Sequence, residues 1–359
     1  MVQVFGRLSE GQADQVFLVL AAVGEILVIV LMQIIGAALR ALPQMQFAAA
    51  SWNVLPVKAD GGGTCQLAYG LTLTSIPDWL MPVEENTDLT TANRYDILAA
   101  KLMSSGLIDG SSCPANGLNP DGSANGCGIE LATDQVKVWQ NRYDPTILSY
   151  SRSNALPPKV VKAVIAVESQ FWPAANWTRG EIGLGQMTGY GADLVLMWRP
   201  DYYQSICRQA FGGKSCNTQY QFLDSPTQLL LRGLVLKEID ATCPSCAGGV
   251  DLEKGKQAVQ VLTETLNASC MQSTRVIYLA TGKSPAALLS FEDYWRLVLA
   301  NYHAGAGCVY QALRKTGNPN SWNVPERSEW DWNSIAANFS SGCASGAEYI
   351  RRIEGQIKP

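Results

Sequence analysis

Histidine is almost absent from this chain of 359 residues, which contains one. Basic residues do not outnumber acidic ones: 27 Lys and Arg face 31 Asp and Glu, a formal net charge of -4. The first scarcity argues against a zinc module. Such modules usually show two paired clusters of cysteine and histidine, and only one Cys-x-x-Cys pair, Cys243 and Cys246, is present. The second argues against nucleic acid as a partner, because neutralising a phosphate backbone takes a basic face. No internal repeat or low-complexity array is evident. No motif calls for a metal or another cofactor.

Apolar residues and cysteine are plentiful. Hydrophobic residues make up 47% of the chain, and its ten cysteines are spread from Cys65 to Cys343. An even number of cysteines fits a chain that oxidises after export better than one kept reduced in a cytosol. Local pairings of Cys207 with Cys216, Cys113 with Cys127 and Cys308 with Cys343 are expected, although connectivity does not follow from sequence. Cys243-Pro244-Ser245-Cys246 looks like a thioredoxin-type redox pair. No strand-rich βαβ pattern precedes it, so structural bridging is the stronger expectation.

From Val16 to Leu39 the chain is nearly all apolar, interrupted by Glu25 and Gln33. About 20 such residues span a bilayer as a helix. Residues 1–50 therefore read as a membrane anchor or, given Ala48-Ala49-Ala50 before Ser51, as a signal peptide. Either places the body outside the cytoplasm, in the periplasm or cell envelope, with tethering to the inner membrane if the leader stays on. Residues 51–140 read as a cysteine-containing, loop-rich extension, with Gly61-Gly62-Gly63 and a helical pattern only between Thr91 and Met103 before residue 130. Asp121, Ser123, Asn125 and Gly126 resemble the start of a calcium loop, but Ala132 stands where a bidentate Glu is expected. Residues 141–359 read as an all-α domain.

Pro157-Pro158 opens a helical run from Lys159 to Phe171 that Pro173 closes. Within it Val161, Val164, Ile165 and Glu168 fall at i, i+3, i+4 and i+7, so a carboxylate continues an apolar stripe. A carboxyl group taken out of water loses solvation of its charged form and holds its proton more tightly, which is what a general acid requires. A partly solvated or salt-bridged Glu168 would satisfy the same periodicity. Gly180-Glu181-Ile182-Gly183-Leu184-Gly185-Gln186-Met187 is a glycine-rich stretch that lets backbone approach a ligand, with one amide to donate and accept. Ser290 to Asp293 forms a capping-box-like start for a helix through Tyr302, broken at Gly305 and Gly307.

The order and content of these segments resemble the catalytic domain of soluble lytic transglycosylases, in the lysozyme-like superfamily that includes goose-type lysozyme. Ala166-Val167-Glu168-Ser169-Gln170-Phe171 resembles the family's Glu-Ser motif. Gly183-Leu184-Gly185-Gln186 resembles its Gly-Leu-Met-Gln motif, Asn301-Tyr302-His303-Ala304-Gly305 its Ala-Tyr-Asn-Ala-Gly motif, and Tyr349-Ile350 its closing Tyr-Val pair. The likeness covers residues 143 to 355 and implies a mainly α, lysozyme-like fold. It departs from the family at Gly185, Asn301, His303 and Ser345. The 116 residues from Gln186 to Tyr302 (302 minus 186) exceed the usual spacing, so an insertion at about 200–288 is expected.

The resemblance implies a peptidoglycan lytic transglycosylase with Glu168 as its single acid and base. Ser169, Gln186, Met187, Tyr302, His303 and Tyr349 would bind substrate or orient the acid. The product would carry a 1,6-anhydromuramic end. Two other readings remain open: a goose-lysozyme-type hydrolase with Glu181 as second carboxylate, and a non-enzymatic wall-binding component of an envelope-spanning secretion or conjugation apparatus.

Overall fold

The computed structural model describes residues 64–70, 76–212, 216–317 and 330–357. The apolar run at 16–39, the small-residue stretch at 48–51 and the triple glycine at 61–63 lie outside them, and with them the anchor and signal-peptide readings. Among the described residues no helix is long and apolar enough to cross a membrane.

The protein is mainly helical, and among the described residues strand-like pairing is confined to isolated bridges. The helices are α1 (Thr64–Tyr69), α2 (Asp96–Ser104), α3 (Gly126–Asn141), α4 (Asp144–Asn154), α5 (Pro158–Ser169), α6 (Gly189–Trp198) and α7 (Pro200–Phe211). They continue with α8 (Ser225–Ile239), α9 (Leu252–Thr281), α10 (Pro285–Leu288), α11 (Phe291–Ala304), α12 (Ala306–Thr316), α13 (Trp332–Ala336) and α14 (Ala344–Ile357). Their starts follow local chemistry. Side chains of Asn125, Thr188, Asp224, Asp251 and Ser290 accept from backbone N–H groups that a helix start leaves unpaired. Asp121 accepts from the backbone and hydroxyl of Ser123, and Asn125 from Gly128, so the calcium-like run is a turn followed by a helix cap.

The organising element is α9, about 45 Å long. It packs against α1, α4, α6, α8, α11 and α12, so that its middle is buried on nearly every side, the small polar residues Thr263, Thr265, Asn267, Ser269 and Ser273 included. This core helix lies within the segment where an insertion was expected. Around it, α14 packs on both α5 and α11, so that the ends of three helices distant in sequence converge. On α5, Val160, Val161, Val164 and Ile165 are wholly buried. Each fully buried aliphatic side chain of this kind contributes about 1.5–3 kcal/mol.

All ten cysteines are paired: Cys65–Cys270, Cys113–Cys127, Cys207–Cys216, Cys243–Cys246 and Cys308–Cys343. The three local pairings expected from sequence are present. Cys65–Cys270 bridges 205 residues and fixes α1 to α9.

Candidate active site

Helix α5 ends abruptly. Gln170 and Phe171 both take positive φ, 45° and 65°, a conformation that costs an L-residue roughly 1–2 kcal/mol. Three anchors hold them there. The Gln170 carboxamide oxygen accepts from Ile97 N and Leu98 N at 2.9 and 3.1 Å, capping α2. Its amide nitrogen donates to Asp96 Oδ1, and the Phe171 carbonyl accepts from Trp139 Nε1 at 2.9 Å. The Phe171 side chain is wholly buried. Strain held this firmly fixes the last turn of α5 and therefore Glu168, whose side chain is 15% exposed.

Two chain segments face that carboxylate. From the end of α11, Tyr302 donates to the Gly185 carbonyl at 2.6 Å. His303 Nδ1 lies 3.8 Å from Glu168 Oε1, too far for a hydrogen bond and close enough for an ion pair when the imidazole is protonated. From α14, Tyr349 is buried and its ring packs against both the Tyr302 and the His303 rings. His303 stacks on it at 4.3 Å with planes 7° apart, and Tyr302 at 6.5 Å with planes 23° apart. Burial pushes the Tyr302 phenol well above its ordinary pKa, and the Glu168 charge adds to this. For Tyr349, burial is again the largest cause, followed by Glu168 and Tyr302, with Arg352 pulling the other way. The Tyr349 hydroxyl feels the Glu168 charge without completing a hydrogen bond of good geometry. One turn along α14, Arg352 donates to the Val167 carbonyl at 2.9 Å and closes the C-terminus of α5.

The glycine-rich stretch forms two successive turns. Asn176 pairs with Glu181 and Ile182 with Met187, enclosing Gly183-Leu184-Gly185-Gln186. Gly183 has φ 73°, and a Cβ there would come within 2.9 Å of the Ile239 carbonyl. A Cβ on Gly185 would sit 2.7 Å from the Tyr302 hydroxyl. The absence of a side chain at Gly185 is what admits that tyrosine. Gln186, at φ 46°, donates its side-chain amide to the Gly183 carbonyl at 2.7 Å, bracing the turn and leaving its oxygen available.

Of the residues expected at the site, Glu168, Tyr302, His303 and Tyr349 therefore come together, and Gln186 lies beside Gly185, which Tyr302 touches. Ser169 turns its hydroxyl to the Ile165 carbonyl of its own helix. Met187 is buried in the core under the turn. Glu181 enters the arrangement through its backbone pairing with Asn176. A cleft of about 340 Å³ lined by Pro157, Pro158, Trp295 and others lies at the opposite end of α5.

Sequence reasoning missed three residues that build this site. Gln170 stands in the Glu-Ser-like stretch, where nothing local signals that it caps α2. Arg352 stands three residues beyond Tyr349, a same-face spacing that was available to be read. Lys162, the lone cation within the apolar part of α5, donates to the Leu89 carbonyl, to Asn141 Oδ1 and to the Asp144 carboxylate at 2.6–2.9 Å. It ties α5 to α4 and to the segment before α2.

Comparison of the chain with models of known protein families, with curated proteins and with solved structures finds no match.

Proposed function

We propose that this chain is a lytic transglycosylase of the lysozyme-like superfamily, cleaving the β-1,4 bond between N-acetylmuramic acid and N-acetylglucosamine in peptidoglycan. One observation carries the reading. A carboxylate fixed at the end of a buried helix is faced by two tyrosine phenols, and each of these groups stands in a segment that resembles a motif of that family.

In this reading Glu168, protonated, gives its proton to the glycosidic oxygen as the C1–O bond breaks, and the N-acetyl oxygen of the muramic residue closes on C1. The Glu168 carboxylate then takes the proton of the muramic 6-hydroxyl, whose oxygen attacks C1 and displaces the acetamido oxygen. Glu168 ends as it began, and no water is consumed. Two-carboxylate glycosidases need a second acid to act as nucleophile or to activate water. Here the groups facing Glu168 are phenols and an imidazole, which suit a single-carboxylate route. Tyr349 and Tyr302 orient the acid and the acetamido group, His303 and the Gln186 oxygen border the sugar, and Ser169 and Met187 support the loop from behind. Five disulfides are in keeping with action in the cell envelope, outside the reducing cytosol.

The test is mass spectrometry of fragments released from purified peptidoglycan by the full chain. Fragments ending in 1,6-anhydromuramic acid are expected. Reducing ends, heavier by one water, would move the reading to hydrolysis with Glu181 as a second carboxylate. Binding without release would favour a wall-attached component of an envelope apparatus.

A further inference from the structure

The five disulfides are not equivalent. In four of them at least one cysteine is buried, although Cys127 of the Cys113–Cys127 pair is itself exposed; in Cys243–Cys246 both are half-buried and neither is shielded by a buried partner. This pair also closes the shortest loop, with a sequence separation of 3, and so removes the least freedom from the unfolded chain. Disulfides that a thiol can reach and that stabilise weakly are the ones that exchange. The two half-cystines also differ from each other. Ser245 Oγ lies 3.7 Å from Cys243 Sγ, within reach of a hydrogen bond to sulfur, whereas among the described residues no hydroxyl stands so beside Cys246. A hydroxyl beside Cys243 eases its departure as thiolate, which directs an incoming thiolate onto Cys246.

The loop is also tied to the candidate active site. Cys243 N donates to the Gly249 carbonyl and Asp251 N to the Ala241 carbonyl, closing residues 241–251 into one unit. Within it, Thr242 Oγ1 accepts from Ala175 N at 3.2 Å, next to the Asn176–Glu181 turn. On the other side, Gly248 packs closely against Leu107. A bond of this kind only needs to stabilise a loop. Its accessibility, the polarised Cys243 sulfur and the link to the site's first turn go beyond that need.

We propose that Cys243–Cys246 is a thiol–disulfide exchange site, served by a dithiol reductant, and that its redox state is transmitted to the 176–187 turns through Thr242. One thiolate of the dithiol attacks Cys246 Sγ, forming a mixed disulfide and releasing Cys243 as thiolate, which takes up a proton. The second thiol of the reductant, on losing its proton, attacks its own sulfur in the mixed disulfide and releases Cys246. Two electrons and two protons pass to the protein, and the dithiol leaves as its cyclic disulfide.

The experiment is titration of the folded full chain with dithiothreitol, alkylation of free thiols, and peptide mass spectrometry. Cys243 and Cys246 are expected to be labelled together at about tenfold lower dithiol than any other pair. Simultaneous opening of all five pairs, or earlier opening of another, would overturn the exchange site. Because labelling needs no substrate, that result is independent of the lytic reading. Transmission rests on that reading and is measured second. The rate of peptidoglycan fragment release should fall at the dithiol concentration that opens only this pair, and Cys243→Ser/Cys246→Ser should be insensitive to that concentration. An unchanged wild-type rate would overturn the transmission, whereas absence of release from the oxidised protein would count against the lytic reading itself.

Discussion

Helix α5 carries two little-exposed charged side chains six residues apart, and their surroundings differ. Lys162 is 6% exposed, and its ammonium group meets a carbonyl, an amide oxygen and a carboxylate, so its donors are used. Glu168 is 15% exposed and faces an imidazole at 3.8 Å and two phenols raised by burial, one of which meets it without a well-formed hydrogen bond. A buried charge whose hydrogen bonds are complete is part of the scaffold. A buried charge left with groups that could bond it differently is placed for chemistry, because its interactions are free to change during a reaction. The same helix supplies both, and the proposed role of Glu168 rests on this contrast.

The largest expected effect that would sharpen this contrast is at the scaffold end. Lys162→Met leaves Asp144 buried without its cation and should cost about 3–5 kcal/mol in urea unfolding. Replacing both partners by apolar residues, Lys162→Met/Asp144→Leu, should recover most of it. Next comes Gly185→Ala, whose new methyl group meets the Tyr302 hydroxyl. It should destabilise by about 1–3 kcal/mol and slow fragment release, since that hydroxyl must leave the Gly185 carbonyl. Tyr349→Phe separates the two roles more cleanly. Removing a buried hydroxyl whose bond to Glu168 is poorly formed should change stability by no more than about 1 kcal/mol, yet lower the release rate roughly tenfold if the hydroxyl orients Glu168. A loss in stability matching the loss in rate would erase the contrast drawn here.

The smallest effect is a pH dependence. Burial pushes the Asp144 carboxyl up from 3.8 to about 6, with Lys162 pulling it back down. The folded protein therefore holds this proton more tightly than the unfolded chain. The stability this group contributes is complete below 3.8 and is lost as pH rises through about 6. Thermal unfolding between pH 4 and 7 should show that decline in the wild type and a flatter profile in Asp144→Asn.

Local chemistry was legible in the sequence wherever neighbours along the chain decide the outcome. The capping start at Ser290 and the break at Gly305 bound α11 where the structure has them. The short-range cysteine pairs formed as expected. Helix α5 was read to Phe171 and stops at Ser169, because Gln170 turns left-handed to cap α2, a partner more than 70 residues away in sequence. The same limit explains Cys65–Cys270, whose partners are 205 residues apart. It explains α9 as well: a helix buried all round and a helix in an insertion have similar local patterns, and only packing separates them. Within the extension at 51–140, the loop-rich reading before residue 130 likewise misses α1, which closes on Cys270 205 residues away, and the first turn of α3, which Cys127–Cys113 pins locally. At the site, Glu168, Tyr302 and Tyr349 were visible as motif residues, whereas Arg352 and the fit of Gly185 to Tyr302 depend on three-dimensional approach.

The central claim is that Glu168 is the acid of the site and not a brace for it. Glu168→Gln keeps the shape of the side chain and removes its proton chemistry, so the direct measurement is its rate of fragment release from peptidoglycan beside its unfolding midpoint. The account predicts a loss of about 10³-fold in rate with stability within about 1 kcal/mol of wild type. A folded Glu168→Gln protein that still releases anhydromuropeptides at a rate near that of the wild type would contradict it.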